Sequence, residues 1–346
     1  MKKCLLLIFG VCLAFIACNK GGKGEASGEP KAATAAPAAA PIILRIANDM
    51  AITHPKSQGI EAFAAYINEH SNGRIKAEAY HDGVLGGPNE YLEAVIAGTI
   101  QAATIGTEFE PRAPITVSWE VPFLFPSWDH VKKVAYSDFA AHLYDNFPKD
   151  HNVRAVGWIP QGRRLMMMNR PVRSMADFHG LRLRVPQIDL YLNVGRNLGA
   201  SPIAVPLVEL YSALEQRIVD GFELPHGNMV TGRYYEVLDY LLLTEHITAF
   251  HNMYMNEPFF QSLGPDLQKV VLDAGRYMTD QTFKFVMDFE KDALDFLAKQ
   301  GMTIITPSEA FRKDLVASQM ETRKLLFAKY PIVEETVKQF QKIMDN

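Results

Sequence analysis

Apolar and polar positions follow two alternating periods along the body of this chain, and the alternation predicts a wound α/β sheet. Pro41-Ile42-Ile43-Leu44-Arg45-Ile46-Ala47 reads as a β-strand that Asn48-Asp49 ends. Ile60, Phe63, Ala64 and Ile67 then recur at i, i+3, i+4 and i+7, the spacing of one helix face, and Asn72-Gly73 supplies the stop. Ile75, Ala77 and Ala79 alternate with Lys76, Glu78 and Tyr80, which gives a second strand. A helical stretch from Glu90 to Ala97 precedes a third strand from Ala102 to Gly106. Strand, helix and strand in this order specify an α/β domain.

A second region begins near Trp158, where Gly162-Arg163-Arg164 leads into the apolar run Leu165 to Met168. Gly180 and Pro186 bound a short strand with Leu181, Leu183 and Val185 on one face and Arg182 and Arg184 on the other. From Pro265 to Gln300 there is no further proline and one glycine, Gly275. At about 1.5 Å per residue, such a helix approaches ~50 Å, longer than one small domain, so it is expected to run along two. Pro265 suits its first turn and Gly301 its end. The 346 residues also suggest two domains at about 150 residues each.

The first 41 residues carry a different pattern. Lys2 and Lys3 precede an apolar run from Leu5 to Ala17, too short to span a bilayer comfortably and composed like a secretory signal. Phe15-Ile16-Ala17-Cys18 resembles a bacterial lipobox, with Phe where that pattern prefers Leu, so Cys18 is expected to become a lipid-modified first residue. Asn19 to Pro41 is Gly, Ala, Pro, Ser, Lys and Glu without aromatics, the composition of a flexible tether. All three cysteines lie within the first 18 residues, which leaves the body no disulfide, thiolate metal site or cysteine nucleophile. The formal charge of −4 becomes −6 once Lys2 and Lys3 are removed, so no basic field is left for nucleic acid.

Catalytic motifs are missing from the sequence. It contains no Gly-x-Ser-x-Gly elbow, no His-Glu-x-x-His, no phosphate-binding Gly-x-x-x-x-Gly-Lys-Ser/Thr and no Gly-x-Gly-x-x-Gly after a strand. His246 and His251 with Glu245 do not make a convincing zinc set, and no metal or cofactor is expected. Val84 to Glu90 is glycine-rich but reads as a turn into a helix near Pro88. The arginines say more. A guanidinium matches a carboxylate in bidentate fashion and stays charged at physiological pH. Arg164 begins an apolar run and Arg184 ends an apolar strand, where a side chain can reach a cleft beyond the strand ends. Read alone, each arginine fits a surface ion pair as well as a ligand contact.

In order, these stretches resemble the periplasmic substrate-binding protein of TRAP transporters, the DctP-type family, from roughly Ile43 to Thr306. The residues that carry the resemblance are Gly162-Arg163-Arg164, Pro171, and Asp177-Phe-His-Gly180-Leu-Arg-Leu-Arg184-Val-Pro186. Gly199-Ala-Ser-Pro202, Glu209-Leu-Tyr211-Ser-Ala-Leu214 and Asp220-Gly221-Phe-Glu223 follow. Leu85-Gly86, Gly98-Thr-Ile100 and Pro122-Phe-Leu-Phe125 stand upstream in the expected order.

The resemblance implies a two-domain α/β fold like that of periplasmic binding proteins, with crossing hinge segments and one long helix along both domains. Expected boundaries are a signal peptide at 1–17, the lipidated cysteine and tether at 18–41, and domain I at 42–161 plus about 250–289. Domain II is expected at 162–249 plus about 290–325, with a C-terminal helical segment at 326–346. The implied function is capture of a carboxylate solute in the periplasm and its delivery to a permease of one small and one large integral membrane subunit, without catalysis. Arg184 is then the carboxylate anchor and Arg164 a second cationic contact. Asn48, Thr107, Trp158 and Gln187 are expected to line the pocket.

Two positions depart from the family pattern. Arg217 stands where a glycine is usual before the Asp-Gly segment, and Leu224 replaces an asparagine after Glu223. Leu224 removes an amide, which disfavours polyhydroxy acids, while His226 nearby offers another donor. Asp220 and Glu223 read as structural. Dicarboxylates, sugar acids and other organic acids all remain open. The rival readings are a receptor for an ATP-driven importer or sensor, an extracytoplasmic hydrolase, and a structural lipoprotein with a degenerate pocket.

Overall fold

A computed structural model describes residues 40–346. The expected signal peptide, the lipidation at Cys18 and all but the last two residues of the 18–41 tether lie outside the described residues. Ten strands form the sheet: β1 (Ile42–Ala47), β2 (Ile75–Tyr80), β3 (Ala102–Ile105), β4 (Val153–Met168), β5 (Arg182–Val185), β6 (Ser201–Ala204), β7 (Gly221–Pro225), β8 (Tyr240–Leu242), β9 (Thr248–Asn256) and β10 (Thr303–Ile305). Their order is β2-β1-β3-β9-β4-β7-β5-β6, with β8 on β4 and β10 on β8.

The sheet has two halves that share β4. In the first, β1 pairs in parallel with β2 and β3, and β9 runs antiparallel beside β3. In the second, β5 lies parallel to both β6 and β7. β4 pairs with β9 from Val153 to Arg163, with register shifts between Ala155 and Gly157 and between Pro160 and Gly162. From Arg164 to Met168 the same strand pairs with β7 instead. The sequence announces this strand only from Trp158 on, so the part inside the first half is new.

Seven helices have eight residues or more: α1 (Pro55–His70), α2 (Pro88–Ala97), α3 (Trp128–Ala135), α4 (Asp189–Asn197), α5 (Gly264–Lys299), α6 (Glu309–Lys329) and α7 (Pro331–Asp345). α1 buries Ile60, Phe63, Ala64 and Ile67, the four positions its period marks, against a core with Leu44, Ile46 and Ala77. α5 has 36 residues, about 54 Å of helix. Its Leu267, Val271 and Met278 join the first-half core, while Leu297 joins Leu165, Phe222 and Leu241 in the second. It meets β4 where two glycines coincide: a β-carbon on Gly275 would stand 1.7 Å from the Val156 carbonyl oxygen.

Two expectations change. The C-terminal helical segment does not begin at 326, which falls inside α6; the break is at Tyr330-Pro331, where Pro331 opens α7. Arg217 has φ of 56°, the left-handed region in which glycine is usual, so the backbone keeps the turn and the arginine bears its strain.

Candidate functional site

The carboxyl ends of β1 and β3 face those of β5 and β7 along the line where the two halves meet at β4, the usual place for a ligand in an open α/β sheet. Asn48 follows β1, Thr107 follows β3, Gln161 and Arg164 lie on β4, and His251 lies on β9. Arg184 is near the end of β5, and Glu223 is on β7 just before the short helix His226–Thr231. Polar groups are buried here in unusual number, including Asn48, His54, Lys56, Arg164, Arg184, Glu223 and His251. Burial without a partner is costly for such groups, so each partner is informative.

Arg184 is 2% exposed. Its Nε donates to the Val205 carbonyl at 2.8 Å, and Nη1 is buried with no acceptor among the described residues. Burial lowers its pKa to about 10, with Glu223 opposing and Arg164 reinforcing the shift. The register that aligns Arg184 with Phe222 places both, and Leu224 two residues on, on one face of the sheet. Leu224 packs there with Leu165 and Phe222, an apolar wall beside the guanidinium.

Arg164 projects from the opposite face and is engaged within the protein. Its Nε and Nη2 take both carboxylate oxygens of Glu223, Nη2 at 2.6 Å, and Nη2 also donates to the Glu223 carbonyl at 3.1 Å. Its guanidinium lies 4.4 Å from the centre of the Tyr191 ring. Burial works against both charges, and each offsets it for the other: Arg164 is held above and Glu223 below its ordinary range. Arg164 thus stands in the wall as half of an ion pair with Glu223 and not as an unpaired cation. Asp220 is likewise occupied, by Arg182 at 2.6 Å.

The first-half wall contains a group of side chains that the sequence did not single out. Lys56 is fully buried and its Nζ donates to Asp49 at 2.8 Å. The same Nζ lies 3.4 Å from His251 Nδ1, which also receives Gln161 Nε2 at 3.1 Å. Two donors on Nδ1 set the tautomer, so the ring proton is on Nε2. Burial and the neighbouring Lys56 keep this imidazole neutral, well below its ordinary pKa. His54 caps α1, its Nδ1 accepting from the Lys56 amide at 3.1 Å. Its proton is therefore on Nε2, 3.4 Å from Asn228 Oδ1 in the second half. Burial first, and Lys56 second, lower the His54 pKa to about 4. These residues are scattered over positions 49 to 251; the one local sign was His54-Pro55 ahead of a helical period.

The remaining expected pocket residues are distributed unevenly. Asn48 is buried, and its Nδ2 already reaches Met50 O, Ser57 Oγ and His81 Nδ1 within 3.1 Å. Thr107 is buried at the end of β3, and Gln187 is exposed just past β5. Trp158 is half-buried among Trp119, Tyr144 and Phe250, with ring centres 4.8 to 5.7 Å away. His226 is buried with its Nδ1 3.5 Å from Glu290 of α5, a carboxylate that also accepts from Trp128 Nε1 and the Arg163 amide. That Nδ1 has no hydrogen-bond partner among the described residues. Glu120, unforeseen, accepts from the Phe250 amide at 2.9 Å and from the Tyr191 hydroxyl, and burial raises its pKa to about 7. His246 faces Glu223 and His251 faces Lys56, so the two histidines are in separate networks.

Comparison with known proteins follows the same line. A model of the family described as bacterial extracellular solute-binding protein, family 7, DctP, matches residues 46–329. The sialic acid-binding periplasmic protein of Vibrio cholerae is 30% identical over 252 residues, 71% of this chain and 78% of that protein. A TRAP periplasmic solute binding protein from Desulfovibrio desulfuricans, crystallised with sn-glycerol-3-phosphate, matches with a TM-score of 0.84 at 26% identity, covering 87% of this chain and 97% of the other. One from Haemophilus influenzae with bound L-gulonate gives 0.83 at 26%, covering 87% and 99%.

Proposed function

Since the chain belongs to the DctP family of bacterial extracellular solute-binding proteins, we propose that Arg184 holds the carboxylate of the organic acid it carries. It is a solute-binding protein of the periplasmic TRAP type, and that family consists of binding proteins. The observation that carries the assignment is the buried Nη1 of Arg184, which lacks an acceptor among the described residues. A desolvated guanidinium nitrogen gains most from an anion, and a carboxylate meets it with charge and direction together. The relatives' ligands, sialic acid and L-gulonate among them, support an acid of this kind.

In this reading the two halves of the sheet are the two domains, and the solute lies between them. Leu224, Thr107, Trp158 and Gln187 form its surroundings, and Asn48 holds the β1 end in place. The loaded protein delivers the acid to the small and large membrane subunits of a TRAP permease. A lipid on Cys18, with the segment to Pro41 as tether, keeps the body at the membrane surface. No described helix is long and apolar enough to cross a membrane.

Calorimetry with a panel of organic acids tests the assignment. Arg184→Gln is expected to weaken binding of the acid that wild type prefers by at least about thirtyfold, because truncating one partner of a buried charge pair costs about 2–5 kcal/mol. Equal affinity in the two proteins would remove Arg184 from the site.

A further inference from the structure

Three cations are buried around the cleft, and two already have carboxylates. Arg164 is paired by Glu223 through two nitrogens, and Lys56 by Asp49 at 2.8 Å. Arg163, at the rim, is paired by Glu245 at 2.9 Å. Arg184 alone among them has no carboxylate within ion-pairing distance among the described residues, and one of its nitrogens has no acceptor.

The other ionisable groups of the wall leave no further cation without a carboxylate: His226 faces Glu290 at 3.5 Å, and His246 faces Glu223 at 3.4 Å, its pKa lowered by burial. His251 and His54 each accept on Nδ1 from fixed donors, so both rings are held as neutral tautomers with the proton on Nε2. Glu120 is satisfied by the Phe250 amide and Tyr191, and Glu108 by the Gly106 amide at 3.1 Å. Any charge on either acid lowers the total further. The site as built therefore has one uncompensated positive charge at most.

From this charge count, and resting on the reading that Arg184 receives the ligand's anionic group, we infer that the solute is a monoanion: one carboxylate on a body whose remaining polar groups are uncharged. A second carboxylate would be taken out of water with no free cation to meet it. The neutral donors and acceptors already present, among them His251 Nε2–H, Thr107 and Gln161, suit hydroxyl or carbonyl groups. The inference removes dicarboxylates from the classes the sequence left open.

The test is calorimetry on the purified protein near neutral pH with acids matched in skeleton: galactonate against galactarate, 3-hydroxybutyrate against malate, butyrate against succinate, and glycerate against sn-glycerol 3-phosphate. In each pair that binds, the singly charged member is expected to be tighter by at least about tenfold. Asp49→Asn, which strips Lys56 of its partner, is expected to shift that ratio toward the doubly charged member by a similar factor; an unchanged ratio overturns the charge count. A dianion that binds wild type as tightly as its matched monoanion overturns the inference and leaves acid capture standing. Silence from every acid in every pair overturns both.

Discussion

Gly227 lies directly against the imidazole of His54: a β-carbon at 227 would stand 2.6 Å from His54 Nε2. His54 precedes α1 in the first half and Gly227 follows β7 in the second, so the contact spans the cleft. Only a residue without a side chain lets the two halves approach this closely. The next residue, Asn228, then accepts a hydrogen bond from His54 Nε2–H on its Oδ1 and donates its own amide to Met50 Sδ at 3.2 Å.

Gly227→Ala is therefore expected to hinder closure with little effect on the fold, since alanine is a better helix former than glycine in the short helix that holds it. Ligand affinity should fall by about tenfold or more, and the double variant with His54→Ala should recover most of it because the obstructing ring is gone. If the double variant binds as poorly as Gly227→Ala alone, His54 is not what the added methyl strikes.

His54 also makes stability depend on pH. Its folded pKa of about 4 is below the ordinary 6.5, so the unfolded chain binds the proton more readily. For a group depressed in this sense, stability is complete above pH 6.5 and declines as pH falls toward 4. Denaturant titrations at pH 7 and pH 5 should show about 2 kcal/mol of loss from this residue. His54→Asn, which keeps an acceptor for the Lys56 amide, should reduce the loss by that amount; an identical slope in both proteins would place the proton uptake elsewhere.

Arg184 carries a cost in the unliganded protein, since burial lowers its pKa to about 10. Arg184→Met, which fills similar space without charge, should make the ligand-free protein more stable by about 1–3 kcal/mol while removing acid binding. Thermal unfolding with and without ligand reads both effects. A destabilised, non-binding variant would mean that the guanidinium supports the fold.

Gly275→Ala is a case where helix propensity gives the wrong answer. An interior alanine is favoured over glycine by about 1 kcal/mol. Here its methyl would stand 1.7 Å from a backbone oxygen of β4, and backbone cannot step aside as a side chain can. The variant should lose at least about 2 kcal/mol in urea unfolding, and a neutral result would mean that α5 can lift away from β4.

Much of the first half was legible because its elements are local and strongly periodic. Ile60, Phe63, Ala64 and Ile67 name the buried face of α1 without any other part of the chain. Gly275 was visible in the sequence as the lone glycine of a long helix, but its reason is Val156, which no spacing connects to it. The two arginines were found by type and position, and their different states were hidden because both depend on distant partners. Glu223 neutralises Arg164 from 59 residues away, and no carboxylate among the described residues does the same for Arg184. The Lys56, His251 and Gln161 group was missed for a related reason: an isolated lysine near a helix start reads as surface, and its burial exists only once α1, β4 and β9 meet.

β4 gives the molecule a mechanical property. Because one strand is hydrogen-bonded into both halves, they cannot part without flexing it, and α5 ties them a second time, with Val271 and Met278 in the first-half core and Leu297 in the second. Sliding would tear ladder bonds along the strand's length, whereas bending needs to disturb only the places where the ladder is already interrupted, next to Gly157 and Gly162. Opening is thereby expected to be a bend of β4 at these interruptions and not a slide along it. A spectroscopic ruler with one label on each half would follow that bend.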